Sequence, residues 1–269
     1  MKLLCLSDIH IDRNSHSLNK ELLPEFISFL NEFEADAVLI SGDISTGYHN
    51  SISILNKLTV QVNKKIYFIP GNHDLYAGKE SFWKAYFSLK NHPCCISNEI
   101  IPLNSEFVLV GDAGWFDYSL GTPTYNLSVY ENQKRRLWCD EKHLNFPFSD
   151  RQTTNYFLSQ WREQFEKIRD YQIIFCNHFV PWKHFTVFKE NDEKWNFFTG
   201  FLGSSRIGDF IEQYDQIKYT IFGHTHNRFG IVSDFINSTV ICNPLGEVKD
   251  WKTNDFLGEL IDSAVLLEF

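Results

Sequence analysis

Five short segments of the chain carry residue types that hold metal ions: Ser7-Asp8-Ile9-His10, Gly42-Asp43, Gly71-Asn72-His73-Asp74, an isolated His178, and Gly223-His224-Thr225-His226. Carboxylates, imidazoles and an amide oxygen without cysteine suit two divalent transition ions, and the chemistry such a pair supports is hydrolysis. Residues i and i+2 of a strand point the same way, so Asp8 with His10, and His224 with His226, are expected to converge on one ion. Asp43 follows the apolar run Ala37-Val38-Leu39-Ile40-Ser41, where a carboxylate without a counter-ion is costly unless hydrogen-bonded or metal-bound; it is the candidate bridging ligand. Gly71 lets backbone approach closely, and the Asn72 carbonyl offers a neutral oxygen.

These residues need elements to position them. Leu3-Leu4-Cys5-Leu6 precedes the first pair and Tyr219-Thr220-Ile221-Phe222 the last, both strand-like, which places the pairs where ligands bind in α/β sheets. Residues 2 to 7, 37 to 41 and 65 to 69 read as strands; 19 to 34 and 51 to 62 carry apolar residues at helical spacing. That β-α-β-α-β order predicts a mainly parallel sheet. A strand at 106 to 110, an irregular aromatic stretch from Trp115 to Phe148, a helix at 151 to 169 and a strand delivering His178 follow. Residues 179 to 204 read as a long loop, and antiparallel strands are expected from 229 to the C-terminus.

In this order and context the segments resemble the calcineurin-like metallophosphoesterase superfamily, on the side of its small bacterial-type phosphoesterases and phosphodiesterases. The resemblance implies an α/β fold, a four-layer α/β/β/α sandwich of two mixed sheets of metallo-dependent phosphatase type. It implies a single domain over 1–269, with the stretches 112–150 and 179–204 as cap or insertion segments. By that similarity Asp8, His10, Asp43 and His226 hold one metal, and Asp43, Asn72, His178 and His224 the other. His73 stands beside the pair as general acid, oriented by Asp74, while a bridging hydroxide attacks phosphorus. The metals are manganese, iron, zinc, cobalt or nickel. The implied activity is phosphoric ester hydrolysis, of a phosphodiester in preference to a monoester. Gly42-Asp43-Ile44-Ser45-Thr46-Gly47-Tyr48 lacks the Asp-Arg-Gly of the protein phosphatase branch, and Thr46 stands where purple acid phosphatases place a tyrosine ligand. Asn243-Pro244-Leu245-Gly246-Glu247 keeps the frame of a phosphodiesterase turn without its arginine and tyrosine.

The net charge of -9 over 269 residues argues against a surface built for broad nucleic-acid or anionic-membrane binding; it does not decide the substrate, and the small phosphoester expected as partner is what the resemblance implies. A repair-type nuclease and a catalytically silent scaffold of the same fold are the alternatives; the acidic chain opposes the first and the intact ligand set the second. The six cysteines show no Cys-x-x-Cys spacing and read as buried thiols of a reducing cytoplasm; no signal peptide or membrane span is expected. Trp115 and Tyr118, at a strand end, and His184, shortly after His178, are candidate substrate contacts. His16, His49, His92 and His143 lie in polar, loop-like sequence and read as solvated.

Overall fold

Alternation along the strands sets the layers. The computed structural model describes residues 1–137, 143–144 and 148–269, so Cys139 lies outside the described residues. In the first sheet β1 (Lys2–Leu6), β2 (Ala37–Ser41) and β3 (Lys65–Ile69) run parallel in the order β1-β2-β3. Leu3, Cys5, Leu39 and Ile69 point to one face, where they share a core with Leu109, Ile174, Cys176 and Ile241 of the second sheet. Leu4, Leu6, Val38 and Ile40 point to the other, into a core built with Phe26, Leu30, Leu55 and Leu58. Those come from helices α2 (Leu23–Glu32) and α3 (Tyr48–Gln61), which follow α1 (Ile11–Leu18); α4 (Phe82–Lys90) comes after β3.

The second sheet comprises the short β4 (Ile100–Pro102), β5 (Phe107–Asp112), β6 (Gln172–Asn177), β7 (Ile217–Ile221), β8 (Gly230–Phe235) and β9 (Ser238–Cys242), ordered β4-β5-β6-β7-β9-β8. β5, β6, β7 and β9 are parallel, with antiparallel β4 and β8 at the edges. Its outer face packs on α6 (Asp150–Phe165) and α8 (Ser205–Ile211), with Trp161 edge-on to Phe175. Two mixed sheets face to face with helices outside make the four-layer sandwich expected from the motifs.

Several elements differ from the sequence reading. The aromatic stretch contains α5 (Leu127–Leu137), and the long loop contains α7 (Glu193–Phe198) between short 3-10 turns. The C-terminal part is antiparallel only in part: β8 and β9 pair antiparallel as expected, but β9 also joins β7 in parallel, and α9 (Phe256–Ser263) intervenes before β10 (Val265–Glu268). β10 then pairs antiparallel with β1 in the other sheet, matching Lys2 to Glu268. Among the described residues no helix is long and apolar enough to cross a membrane.

Candidate metal centre

The loops that carry the candidate ligands leave the carboxyl ends of β1, β2, β3, β6 and β7, and they interlock through backbone bonds. Asp8 N–H donates to Gly42 O at 3.0 Å, His10 N–H to Asp43 O at 2.9 Å, and Gly223 N–H to His178 O at 3.1 Å. The strand geometry invoked to make Asp8 and His10 converge is not what operates, because β1 ends at Leu6 and β7 at Ile221. Instead Asp8, His10, Asp43, His224 and His226 all adopt left-handed backbone, with φ of 55, 45, 55, 65 and 52°. Non-glycine residues in that region are strained, and such strain concentrates at functional sites. Gly42, at φ 92°, has a further reason to be glycine: a Cβ there would meet the His178 ring and the Gly71 backbone.

All seven candidate ligands meet at this end of the sheets. Ligand atoms of Asp8, His10 and His226 lie within 4.8 Å of one another, and so do those of Asp43, His178 and His224. Asp8, His10, Asp43 and His178 are fully buried. Asn72 Oδ1 sits 2.8 Å from His224 Nδ1 and 3.1 Å from His178 Nε2. The opposite ring nitrogens already face carbonyls, His178 Nδ1 that of Ser41 at 2.9 Å and His224 Nε2 that of Phe201 at 3.3 Å. With those carbonyls holding one nitrogen of each ring, the other nitrogen of each faces the Asn72 oxygen, so two imidazoles and an amide oxygen converge as a cation's ligands would.

The other half of the site repeats this pattern. His10 Nε2 and His226 Nε2 are 3.1 Å apart, while His226 Nδ1 contacts Asp250 Oδ2 at 2.7 Å. Among the described residues His10 Nδ1 and Asp43 Oδ2 have no hydrogen-bond partner. Asp43 Oδ2 lies 3.3 Å from His178 Nε2 and 3.7 Å from His10 Nε2, between the two groups. A buried, orphaned carboxylate oxygen flanked by two imidazoles fits two divalent ions sharing Asp43, and the donor set suits them.

Without such ions the site's charge is balanced by protons. Burial depresses His226, but its contacts with Asp250 and Asp8 outweigh that and carry it up to about 10. Burial likewise opposes ionised His178, yet Asp43 and Asp8 raise it to about 9. Asp8 is lowered to about 2, because its histidine partners overcome the burial that would raise it. His224, penalised by burial and by His178, falls to about 3.

His73 is half-buried beside the ligands, its ring 4.9 Å from that of His10. Asp74 does not orient it, contrary to the sequence expectation. The Asp74 carboxylate accepts from the backbone N–H of Asp43 (2.6 Å), Gly71 (2.8 Å), Ile44 (3.1 Å) and Ser45 (3.3 Å) and from the Ser51 hydroxyl (2.6 Å), which commits it to tying two ligand loops together. The group at the His73 ring is Arg13, whose Nη1 lies 3.0 Å from Nδ1 and pairs with Glu247 at 3.2 Å.

Arg13 and Asp250 were missed in the sequence. Recognising α1, which starts directly after His10, would have put Arg13 one turn into a helix at the site's edge. Asp250 sits 24 residues beyond His226 with no pattern linking them.

A cavity of about 790 Å³ opens over the site, lined by Asn72, His73, His224 and His226 and by Tyr76, Trp195 and Phe198. Trp115, Tyr118 and His184 do not line it. Trp115 is fully buried and Tyr118 nearly so, and both donate to the Asp150 carboxylate. His184 is exposed and packs on Phe185 and Phe235. Of the histidines read as solvated, His92 is buried, with Nδ1 accepting from Cys94 N–H at 3.2 Å; His143 is exposed, as expected, and also lines the cavity, stacked on Tyr76.

A sequence model of the calcineurin-like phosphoesterase family matches residues 1–228. The fold is similar to that of the phosphopantetheinyl hydrolase from Mycobacterium tuberculosis, with a TM-score of 0.71 and 16% identity over 93% of this chain and 91% of that one. It is also similar to a dimetal phosphatase from Danio rerio, with a TM-score of 0.52 and 14% identity over 91% and 87% of the two chains. A probable cyclic nucleotide phosphodiesterase from Vesicomyosocius okutanii subsp. Calyptogena okutanii (strain HA) is 34% identical over 76 residues, 27% of this chain. This chain thus spans 33% of the length of that relative.

Proposed function

This chain belongs to the calcineurin-like phosphoesterase family, and from that premise we propose that it is a metal-dependent phosphoric ester hydrolase acting on a small phosphodiester in preference to a monoester. The observation that carries the reading is the convergence of two groups of candidate ligands around a buried Asp43 oxygen that has no hydrogen-bond partner, at one end of both sheets. Asp8, His10, Asp43 and His226 hold one ion, and Asp43, Asn72, His178 and His224 the other. When bound, the two ions polarise the phosphoryl group and acidify water for attack at neutral pH.

The chain's own residues do the rest. Asp250 and the Ser41 and Phe201 carbonyls fix the rings of His226, His178 and His224, so each presents a chosen nitrogen. Arg13 Nη1 lies 3.0 Å from His73 Nδ1 and 3.5 Å from Nε2 and holds the ring at the edge of the site. As general acid, the imidazolium form of His73 gives one proton to the departing alkoxide, which is otherwise a poor leaving group, and becomes the neutral ring. The diester preference is supported by the local likeness to a probable cyclic nucleotide phosphodiesterase and by a cavity much larger than a phosphate requires. Segments 112–150 and 179–204 act as the cap, contributing Leu137, Trp195 and Phe198 to the cavity. The buried thiols Cys5, Cys94, Cys95, Cys176 and Cys242 support a reducing, cytoplasmic setting.

The test is to supply manganese, measure bound metal, and compare bis(p-nitrophenyl) phosphate with p-nitrophenyl phosphate. About two ions per chain and a higher kcat/KM for the diester are expected. A protein that takes up no metal and hydrolyses neither ester would sink the reading.

A further inference from the structure

The cavity has two chemically different parts. One is the metal-facing floor; the other is a wall of rings from separate segments, Tyr76 and His143 on one side of the sequence and Trp195 and Phe198 in α7 on the other. Tyr76 and His143 are stacked at 4.7 Å with 16° between their planes. Tyr76 also lies 4.8 Å from the His73 ring, so the wall begins at the reacting centre.

These rings differ from the protein's other aromatic residues. Trp115 and Phe116 are fully buried, whereas Tyr76, Trp195 and Phe198 stay half-exposed, toward the cavity they line. Trp195 is also fixed in place: its indole N–H bonds the Val187 carbonyl, its backbone N–H the Asp192 carboxylate at 2.9 Å, and Lys189 Nζ sits 3.7 Å from its ring centroid. A rigid, partly exposed ring beside a reaction centre is preorganised to receive a ligand. A volume of about 790 Å³ is that of a site for a drug-sized molecule rather than for phosphate alone.

We infer that this wall is a subsite for a planar aromatic arm of the phosphoester, with Trp195 and Phe198 as its specificity-determining residues. The inference rests on the hydrolase reading of the metal-facing floor. An aromatic arm fits better than an aliphatic chain because the wall offers ring faces and edges, whose offset and edge-to-face contacts add to the gain from area alone.

Phosphonates test this without turnover. Titration calorimetry on manganese-loaded protein compares methylphosphonate, phenylphosphonate and cyclohexylphosphonate, each with one anionic head and one arm. Phenylphosphonate should bind about tenfold more tightly than methylphosphonate and more tightly than cyclohexylphosphonate. The Trp195→Ala/Phe198→Ala double variant, shown folded by its retained manganese, should bring the phenyl-to-methyl ratio near one. Trp195→Phe should keep most of it.

Equal affinity for the methyl and phenyl compounds, or a ratio untouched in the double variant, overturns the subsite. So does binding of neither compound, and a cyclohexyl compound as tight as the phenyl one overturns its aromatic character. The two readings fail separately. A phenyl preference in a protein that hydrolyses no ester removes the hydrolase and leaves the arm site, while equal affinities in an active hydrolase do the reverse.

Discussion

Two of the buried polar clusters among the described residues are built on opposite principles. Around Asp150 every strong group is matched: the carboxylate accepts from Trp115 Nε1 at 2.9 Å, from the Tyr118 hydroxyl and from Lys134 Nζ at 2.7 Å. Around Asp43 the groups are left open, with an orphaned oxygen, an orphaned imidazole nitrogen and two histidine nitrogens facing each other at 3.1 Å. A satisfied cluster needs no ligand and holds structure. An unsatisfied one is costly until something arrives, and a fold that keeps it invites a cation.

That contrast can be broken from either side. Asp43→Asn is expected to do most: it removes the shared charge, so bound manganese should fall well below about two per chain and turnover should vanish, as read by metal analysis and the diester assay. His73→Ala should retain both metals and lose about 10²–10⁴-fold in kcat. Metal loss equal to that of Asp43→Asn would remove the distinct role given to His73. In the satisfied cluster, Asp150→Ala removes the acceptor shared by Trp115, Tyr118 and Lys134, which should lower unfolding free energy by about 1–3 kcal/mol in urea while metal stoichiometry is kept. A loss of metal there would show that the clusters are not separate. The smallest change is Asp250→Asn, which weakens the orientation of His226 and should reduce metal affinity about 10–100-fold. An unchanged dissociation constant would mean that His226 is held by its loop alone.

The candidate metal ligands could be picked out because their chemistry is local: each group follows an apolar strand, and its residue types are ones that hold metal ions. The parallel strands at the N-terminus were legible for a similar reason, since Leu3 to Leu6 and Ala37 to Ser41 are buried on both faces. What the sequence hid was long-range. Trp115 and Tyr118 sit at a strand end in both readings, but their partner Asp150 is 35 and 32 residues away, and only packing reveals that it consumes their polar atoms. Asp74 is adjacent to His73 in sequence, yet its carboxylate turns to the amides after β2. α1 was hidden because a polar octapeptide with only two buried residues, Ile11 and Asn14, shows little helical stripe. The left-handed backbone of the candidate ligands leaves only a weak trace in residue type: Asp and His are enriched in that region, but most Asp and His residues lie elsewhere.

The pairing of β10 with β1 bears on when the site comes into being. One edge of the strand that leads to Asp8 and His10 is completed by Val265–Glu268, and His226 reaches His10 across 216 residues. On a ribosome delivering the chain from its N-terminus, the first ligands emerge long before the strand that completes their sheet. Contacts of such separation form late and slowly. Any metal bound by the proposed site would therefore meet an almost finished fold rather than a nascent peptide, with the geometry of the interlocked loops, more than the order in which the residues are synthesised, deciding which ion is kept.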